Sequence, residues 1–171
     1  MEVINLDLKK VIIAIKNGDV LVCPTDTVYG LICAAGNKKA VDRIYKIKKR
    51  LKSKPLPIFV GDIRMAKRLV EISKKQEGFL KKIWPGKTTV ILNAKKGGTI
   101  GLRIPDSDFV CDLIKRVGPL AETSANLSGQ PATTKIKEVL KYFKGREYQP
   151  DLVLDAGDLK SAKPSRVIDL T

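Results

Sequence analysis

The sequence predicts a mixed α/β domain, with a twisted sheet of parallel and antiparallel strands flanked by helices. Helical stripes alternate with short β-branched runs from one end of the chain to the other, which favours layers of both around one sheet. Several neighbouring strands are joined by links too short for a crossover helix, so the sheet is mixed rather than wholly parallel. No repeat, low-complexity tract or linker divides the 171 residues, and 43% apolar content supports a full core, so residues 1–171 are taken as one domain.

The elements follow in order. Leu8, Val11, Ile12 and Ile15 recur at helical spacing, with Asp7 placed to cap the helix and Gly18 to stop it. Strands are expected at Val20–Cys23 and Leu31–Ala34, then a helix from about Lys38 to Ile47 that buries Val41, Ile44 and Ile47. Leu56–Val60 reads as a strand, and Arg64–Ile72 and Glu77–Ile83 as helices. "WPGKTT" turns into the strand Val90–Leu92, and Ile100–Ile104 is the next strand. A helix around Phe109–Val117 leads into an extended "PLAETSAN". Lys135–Phe143 is helical, and Leu152–Leu154 and Arg166–Asp169 are strand-like.

Composition removes several chemistries. The chain has no histidine, so Ser-His-Asp and Cys-His nucleophiles, histidine-ligated zinc and an imidazole base are excluded. Cys23, Cys33 and Cys111 lack paired metal-site spacing and are odd in number, which predicts reduced thiols in a cytoplasmic protein. The N-terminus "MEVINLDLKK" has no signal pattern, and no apolar run is long enough to cross a bilayer, so no membrane association is expected. The net charge of +15, from 33 Lys+Arg against 18 Asp+Glu, favours a polyanionic ligand such as a nucleotide or RNA. Catalysis then rests on charge placement, hydroxyls and carboxylates, which suits phosphoryl or nucleotidyl transfer.

Four segments carry candidate chemistry. "PTDTVYG", residues 24–30, sets two threonines, an aspartate and a tyrosine after an apolar run, as a turn or as the rim of a site. "YKIKKRLKSKP" places six cations, Lys46, Lys48, Lys49, Arg50, Lys52 and Lys54, within nine residues. Cations stabilise a helix C-terminus without any ligand. Such density nevertheless repels itself, and Lys48 with Arg50 offers a point charge and a bidentate fork to phosphate. "ETSANLSGQP" puts Thr123, Ser124, Asn126 and Ser128 between a strand and a helix, which also fits a plain capped turn. In "TIGLRIP", Arg103 interrupts an apolar strand, with Thr99 four residues earlier on the same face. A cation there needs a partner or a cavity. No P-loop or Gly-rich dinucleotide motif occurs, and the aromatics are too thinly spread for a base-stacking platform.

Together, "PTDTVYGL", "KKR" before "KPLPIFV", "WPGKTTVIL", "GLRIP" and "TSANLSG" resemble the YrdC-like family, in its order and at similar spacing from about Val20 to Gly129. A weaker echo follows in "PSRVIDLT". The resemblance implies a twisted mixed sheet around a basic concave cavity. It implies threonylcarbamoyl-AMP synthase chemistry, with L-threonine, bicarbonate and ATP as substrates and Mg2+ accompanying ATP. The product feeds a separate threonylcarbamoyl transferase that modifies tRNA, and the basic cavity also suits direct binding of tRNA or double-stranded RNA.

Carried over residue by residue, Lys48 and Arg50 match the Lys-x-Arg on the ATP phosphates and are the catalytic pair. Ser124 and Asn126 match the Ser-x-Asn that contacts nucleotide, Thr99 matches a hydroxyl near ATP, and Lys54 stands at a nucleotide-contacting position. Arg103 matches the arginine for the threonine carboxylate, and Thr27 and Tyr29 match positions beside the amino-acid pocket, Thr27 being the favoured contact. No metal-ligating residue is carried over. Both Lys48 and Arg50 are expected to face the cavity and to contribute little to folding stability.

Departures from the pattern are Phe59 in place of a threonine-contacting histidine, Glu122 in place of a small residue or hydroxyl, and Ala132 in place of a serine. The carboxylate of Glu122 either binds the threonine ammonium or disturbs the site. The sequence ends at Thr171, ahead of an "LRxG"-type segment, so either Arg166 or Lys163 compensates or ATP is held less tightly, and the short single-domain form is expected. Two other readings stay open: an RNA-binding or ribosome-associated module without turnover, and a carbamoyl-adenylate enzyme with another acceptor.

Overall fold

The computed structural model describes all 171 residues. The chain runs β1 (Glu2–Ile4), α1 (Leu8–Asn17), β2 (Leu21–Cys23), β3 (Gly30–Ala34), α2 (Lys38–Lys48), β4 (Ile58–Phe59), α3 (Ile63–Leu69), α4 (Lys74–Ile83), β5 (Thr88–Asn93), β6 (Thr99–Arg103), α5 (Asp108–Val117), β7 (Leu120–Ser124), α6 (Ile136–Phe143), β8 (Leu152–Leu154) and β9 (Arg166–Asp169). All nine strands join one sheet in the order β1-β8-β2-β3-β7-β4-β6-β5-β9. Parallel pairs (β1 with β8, β2 with β8, β4 with β6, β5 with β9) mix with antiparallel ones (β2 with β3, β3 with β7, β4 with β7, β5 with β6), as the short links require.

Local chemistry places the helix ends. Asp7 accepts from the Lys10 amide and Gly18, at φ 89°, closes α1, while Asn37, Asp62, Ser73 and Ser107 cap α2, α3, α4 and α5. The expected strand over Leu56–Val60 contracts to Ile58–Phe59, because Pro55 and Pro57 cannot donate to a ladder. The helix expected to reach Ile72 stops at Leu69, where Val70 turns away to bridge Ala94. Strand β1 was not expected; three residues at a sheet edge leave too little pattern to read.

Alternation along the strands divides the core. Leu31, Cys33 and Ala121 face α2 and α6, whereas Ile32, Phe59 and Leu120 face α1 and α5. Leu102 and Ile104 pack with α3 and α4, which sends Arg103, between them, to the other face beside its register partner Phe59. On that face α1 and α5 stop short of β6 and the end of β7, and a cleft remains there.

Candidate active site

The cleft contains a cavity of about 150 Å³ lined by Thr27, Val28, Arg50, Pro57, Arg103, Glu122, Thr123, Ser124, Pro164 and Ser165. A second cavity of about 230 Å³ adjoins it through Thr27 and is walled by Asp26, Lys87 and the segment 159–162. The chain between β8 and β9 therefore passes over both. Pro164 and Ser165, at the start of the weak "PSRVIDLT" echo, had no site role assigned; both line the first cavity, and the Ser165 hydroxyl is tied to that of Thr89 at 3.1 Å.

The loop after β2 is knotted by one hydroxyl. Thr25 donates to the Val28 carbonyl at 2.7 Å, accepts the Thr27 amide at 3.1 Å and lies 3.0 Å from the Thr27 hydroxyl. The knot fixes Thr27 between the two cavities and turns Asp26 toward β6. "PTDTVYG" is both turn and rim.

Arg103 is 1% exposed and held on three sides. Its Nη2 pairs with Asp26 Oδ1 at 2.6 Å, its Nε donates to the Gly86 carbonyl at 2.8 Å, and Nη1 reaches the Thr27 hydroxyl at 3.5 Å. Phe59 supports the guanidinium from one side, with its ring centroid 5.4 Å from Cζ. The Phe59 departure thus has a job: it orients the arginine. The turn that presents this carbonyl requires glycine at position 86, because a Cβ there would lie 2.6 Å from the Ile83 carbonyl oxygen. Asp26, the aspartate of "PTDTVYG", to which no site role was assigned, proves central, and its second oxygen, Oδ2, is buried without a hydrogen-bond partner.

Glu122 lines the same cavity from β7 and is 9% exposed. Burial is the main cause that lifts its carboxyl from 4.5 to about 7, opposed by the nearby charges of Arg103 and Lys48. Its Oε1 comes within 3.0 Å of where a Gly30 Cβ would stand, so glycine at the start of β3 makes room for the carboxylate.

Lys48 ends α2 and is 2% exposed. Its Nζ donates to the Ser124 carbonyl at 2.6 Å and to the Asn126 carbonyl and side-chain oxygen, each at 2.9 Å. Desolvation brings its ammonium down to about 8, helped by Arg50. This corrects the expectation that Lys48 faces the cavity and matters little to stability: it clamps the Ser-x-Asn turn from beneath. Lys49 takes the left-handed conformation at φ 52°, which reverses the chain and delivers Arg50 to the cavity wall. The Arg50 fork rests on the carbonyls of Lys54 and Pro55 at 2.9 and 3.1 Å. Lys54 contributes that carbonyl, while its side chain is exposed.

In the Ser-x-Asn turn, Ser124 donates to Asn126 Oδ1 at 2.6 Å, and the Asn126 amide nitrogen donates to the Leu127 and Gln130 carbonyls. Ser124 is the half-buried member that reaches the cavity, and Asn126 shapes the turn.

Other expected residues fall outside. Tyr29 is fully buried in the core under α2 and α6; its hydroxyl donates to the Gly157 carbonyl at 2.6 Å and accepts the Ala156 amide. It pins the crossing segment rather than walling the amino-acid pocket. Thr99 is exposed at the far end of β6, paired with Asn93 and about 13 Å from Arg103 by strand rise. The structure does not bring it into the cluster. Lys163 and Arg166 are exposed beside the cavity-lining Pro164 and Ser165. Thr133, after Ala132, is bonded to Glu138.

The arrangement offers a small cavity with fixed cations, hydroxyls and one unpaired carboxylate, and no activated nucleophile. Nowhere do three or more Cys, Asp or Glu side chains converge to hold a metal ion. No helix is long and apolar enough to cross a membrane.

The Sua5/YciO/YrdC family profile, described as telomere recombination, matches residues 13–171. Over 96% of this chain and 63% of its own length, the human threonylcarbamoyl-AMP synthase is 33% identical. The threonylcarbamoyl-AMP synthase of Pseudomonas fluorescens is 35% identical over 91% of this chain and 88% of its own. The structure of Pyrococcus abyssi Sua5 complexed with L-threonine superimposes with a TM-score of 0.86 at 31% identity, over 99% of this chain and 53% of that one.

Proposed function

The chain belongs to the Sua5/YciO/YrdC family, and on that premise we propose that it converts L-threonine, bicarbonate and ATP into L-threonylcarbamoyl-AMP and pyrophosphate. The product is the activated donor for threonylcarbamoyladenosine in tRNA, passed to a separate transferase. The observation that carries this reading is the juxtaposition of an amino-acid-sized cavity holding Arg103, Thr27 and Glu122 with Arg50 and Ser124 on its wall. At about 150 Å³ the cavity is below the roughly 300 Å³ at which drug-sized sites begin. It suits a small zwitterion, with the nucleotide outside it along the 48–54 and 124–126 loops.

Arg103, Thr27 and Glu122 bracket the amino acid: guanidinium and hydroxyl on the carboxylate side, the Glu122 carboxylate on the ammonium side. The threonine amine joins bicarbonate carbon with loss of water, giving an N-carboxy carbamate. One carbamate oxygen then attacks the α-phosphorus, the bond to the bridging oxygen breaks, and pyrophosphate leaves. Arg50 faces the developing phosphate charge, Lys48 holds the Ser124–Asn126 turn in place beneath it, and the segment over the cavity keeps water from the labile carbamate.

Magnesium enters this scheme as a companion of ATP. The two carboxylates at the site do not make a protein-held metal centre, because Asp26 is paired with Arg103 and Glu122 lies among cations. When bound, the ion supplies charge neutralisation on the departing pyrophosphate.

The test is pyrophosphate release from ATP, with threonine and bicarbonate each omitted in turn. Dependence on both supports the synthase. Turnover that ignores threonine points to another acceptor, and salt-sensitive RNA binding without turnover favours a binding module.

A further inference from the structure

The synthase reading, on which this inference rests, creates a proton problem. Threonine arrives as an ammonium, and only the free amine attacks carbon. A chain without histidine must take that proton with something else.

Two carboxylates reach the cavities. Asp26 is bound to Arg103 at 2.6 Å, and its other oxygen is sealed from solvent, so neither oxygen is free for substrate. Glu122 differs: its side chain makes no ion pair or hydrogen bond within the chain and lines the cavity between the two arms of the site. Charged and titratable groups face it from every neighbouring element. They are Arg103 on β6, Lys48 at the end of α2, Arg50 after it, Asp26 in the 24–29 loop and the buried Cys23 thiol on β2.

We propose that Glu122 is a catalytic residue, the base that accepts the proton of the threonine ammonium. The carboxylate takes one proton from the ammonium, leaving a neutral amine and a carboxylic acid. The nitrogen lone pair forms the N–C bond to bicarbonate, a C–O bond breaks, and the departing hydroxide leaves as water with a second amine proton. The third proton stays on the carbamate nitrogen. Glu122 later returns its proton to solvent.

Its surroundings suit the task. Burial lifts the carboxyl to about 7, so the ionised form is available near neutrality and is basic enough to work. Arg103 and Lys48 also depress the ammonium's affinity for its proton, which narrows the gap the transfer must cross.

The experiment compares wild type with Glu122→Gln, which keeps shape and removes the base. Threonine- and bicarbonate-dependent pyrophosphate release is expected to fall about a hundredfold or more in kcat, with the ATP KM unchanged. The residual rate of the variant is expected to climb with pH as free amine accumulates, a recovery that a merely structural defect would not show. Unaltered kcat and pH profile in the variant would overturn the proposal. Calorimetric titration of threonine at about pH 6, where Glu122 is protonated in the free protein, in buffers of different ionisation enthalpy reads the same group without turnover. Release of a proton to buffer as the ammonium binds is expected in wild type and absent in Glu122→Gln, and equal release in both overturns the assignment. If wild type shows no threonine-dependent turnover, the synthase reading fails, and this titration still decides on Glu122.

Discussion

Replacing Glu122 with glutamine is expected to make the protein more stable above neutrality while it disables the site. The folded state holds the Glu122 proton more tightly than the unfolded chain does, since burial raises the carboxyl from 4.5 to about 7. Stability therefore falls as pH rises between those two values, and above the upper one the full cost of a buried charge is present. At about 1.4 kcal/mol per tenfold change in proton affinity, that cost is about 3 kcal/mol. Glutamine carries no charge and escapes it. For a chain of this size, a gain of about 3 kcal/mol corresponds to a melting temperature roughly 6–12 °C higher. Near pH 5 the gap shrinks to about 1 kcal/mol or less, because the folded wild type is then protonated. Scanning calorimetry of both proteins without ligands, at about pH 5 and about pH 8, measures it. Equal melting temperatures above neutrality, or the same gap at both pH values, would refute the reasoning.

Lys48→Ala is expected to abolish pyrophosphate release and to cost about 2 kcal/mol or more, since the Ser124 and Asn126 acceptors lose their buried donor. Urea denaturation checks this, and an unchanged midpoint would return Lys48 to a purely cavity-facing role. Arg50→Ala removes bonds made at the protein surface, so stability should change by less than about 1 kcal/mol while ATP affinity drops at least tenfold; equilibrium binding and melting separate the two effects. Tyr29→Phe should cost roughly 1–2 kcal/mol through the unpaired Gly157 and Ala156 groups and leave the threonine KM unchanged, a split that steady-state kinetics and denaturation resolve.

What the sequence made legible is local. Asp7 and Gly18 bound α1 as their chemistry dictates, and an arginine flanked by apolar strand residues announced a cavity or a partner, both of which Arg103 has. Less legible was anything set by a contact distant in sequence. Asp26 looked like a turn aspartate because Arg103 lies 77 residues away. Tyr29 looked like a rim residue because alternation alone cannot say which face carries α2 and α6, nor that the Ala156–Gly157 segment would claim its hydroxyl. Lys48 and Arg50 are two residues apart and read as one unit, yet the left-handed turn at Lys49 sends one under the Ser124–Asn126 turn and the other to the cavity wall. Thr99 shared a face with Arg103 in pattern and was separated from it by strand length. Pro164 and Ser165 lie in the weak "PSRVIDLT" echo, which gave them no role; only the path of the chain over the cleft makes them part of the site.

The central claim is that this cavity joins threonine, bicarbonate and ATP into one product. Incubating the protein with 13C-bicarbonate, threonine, ATP and magnesium, then analysing the quenched mixture by mass spectrometry, tests it most directly. The account predicts a mixed anhydride of N-carboxythreonine and AMP bearing the label, formed with equimolar pyrophosphate and absent when threonine is omitted. Pyrophosphate without a labelled adenylate, or no turnover at all, would contradict it.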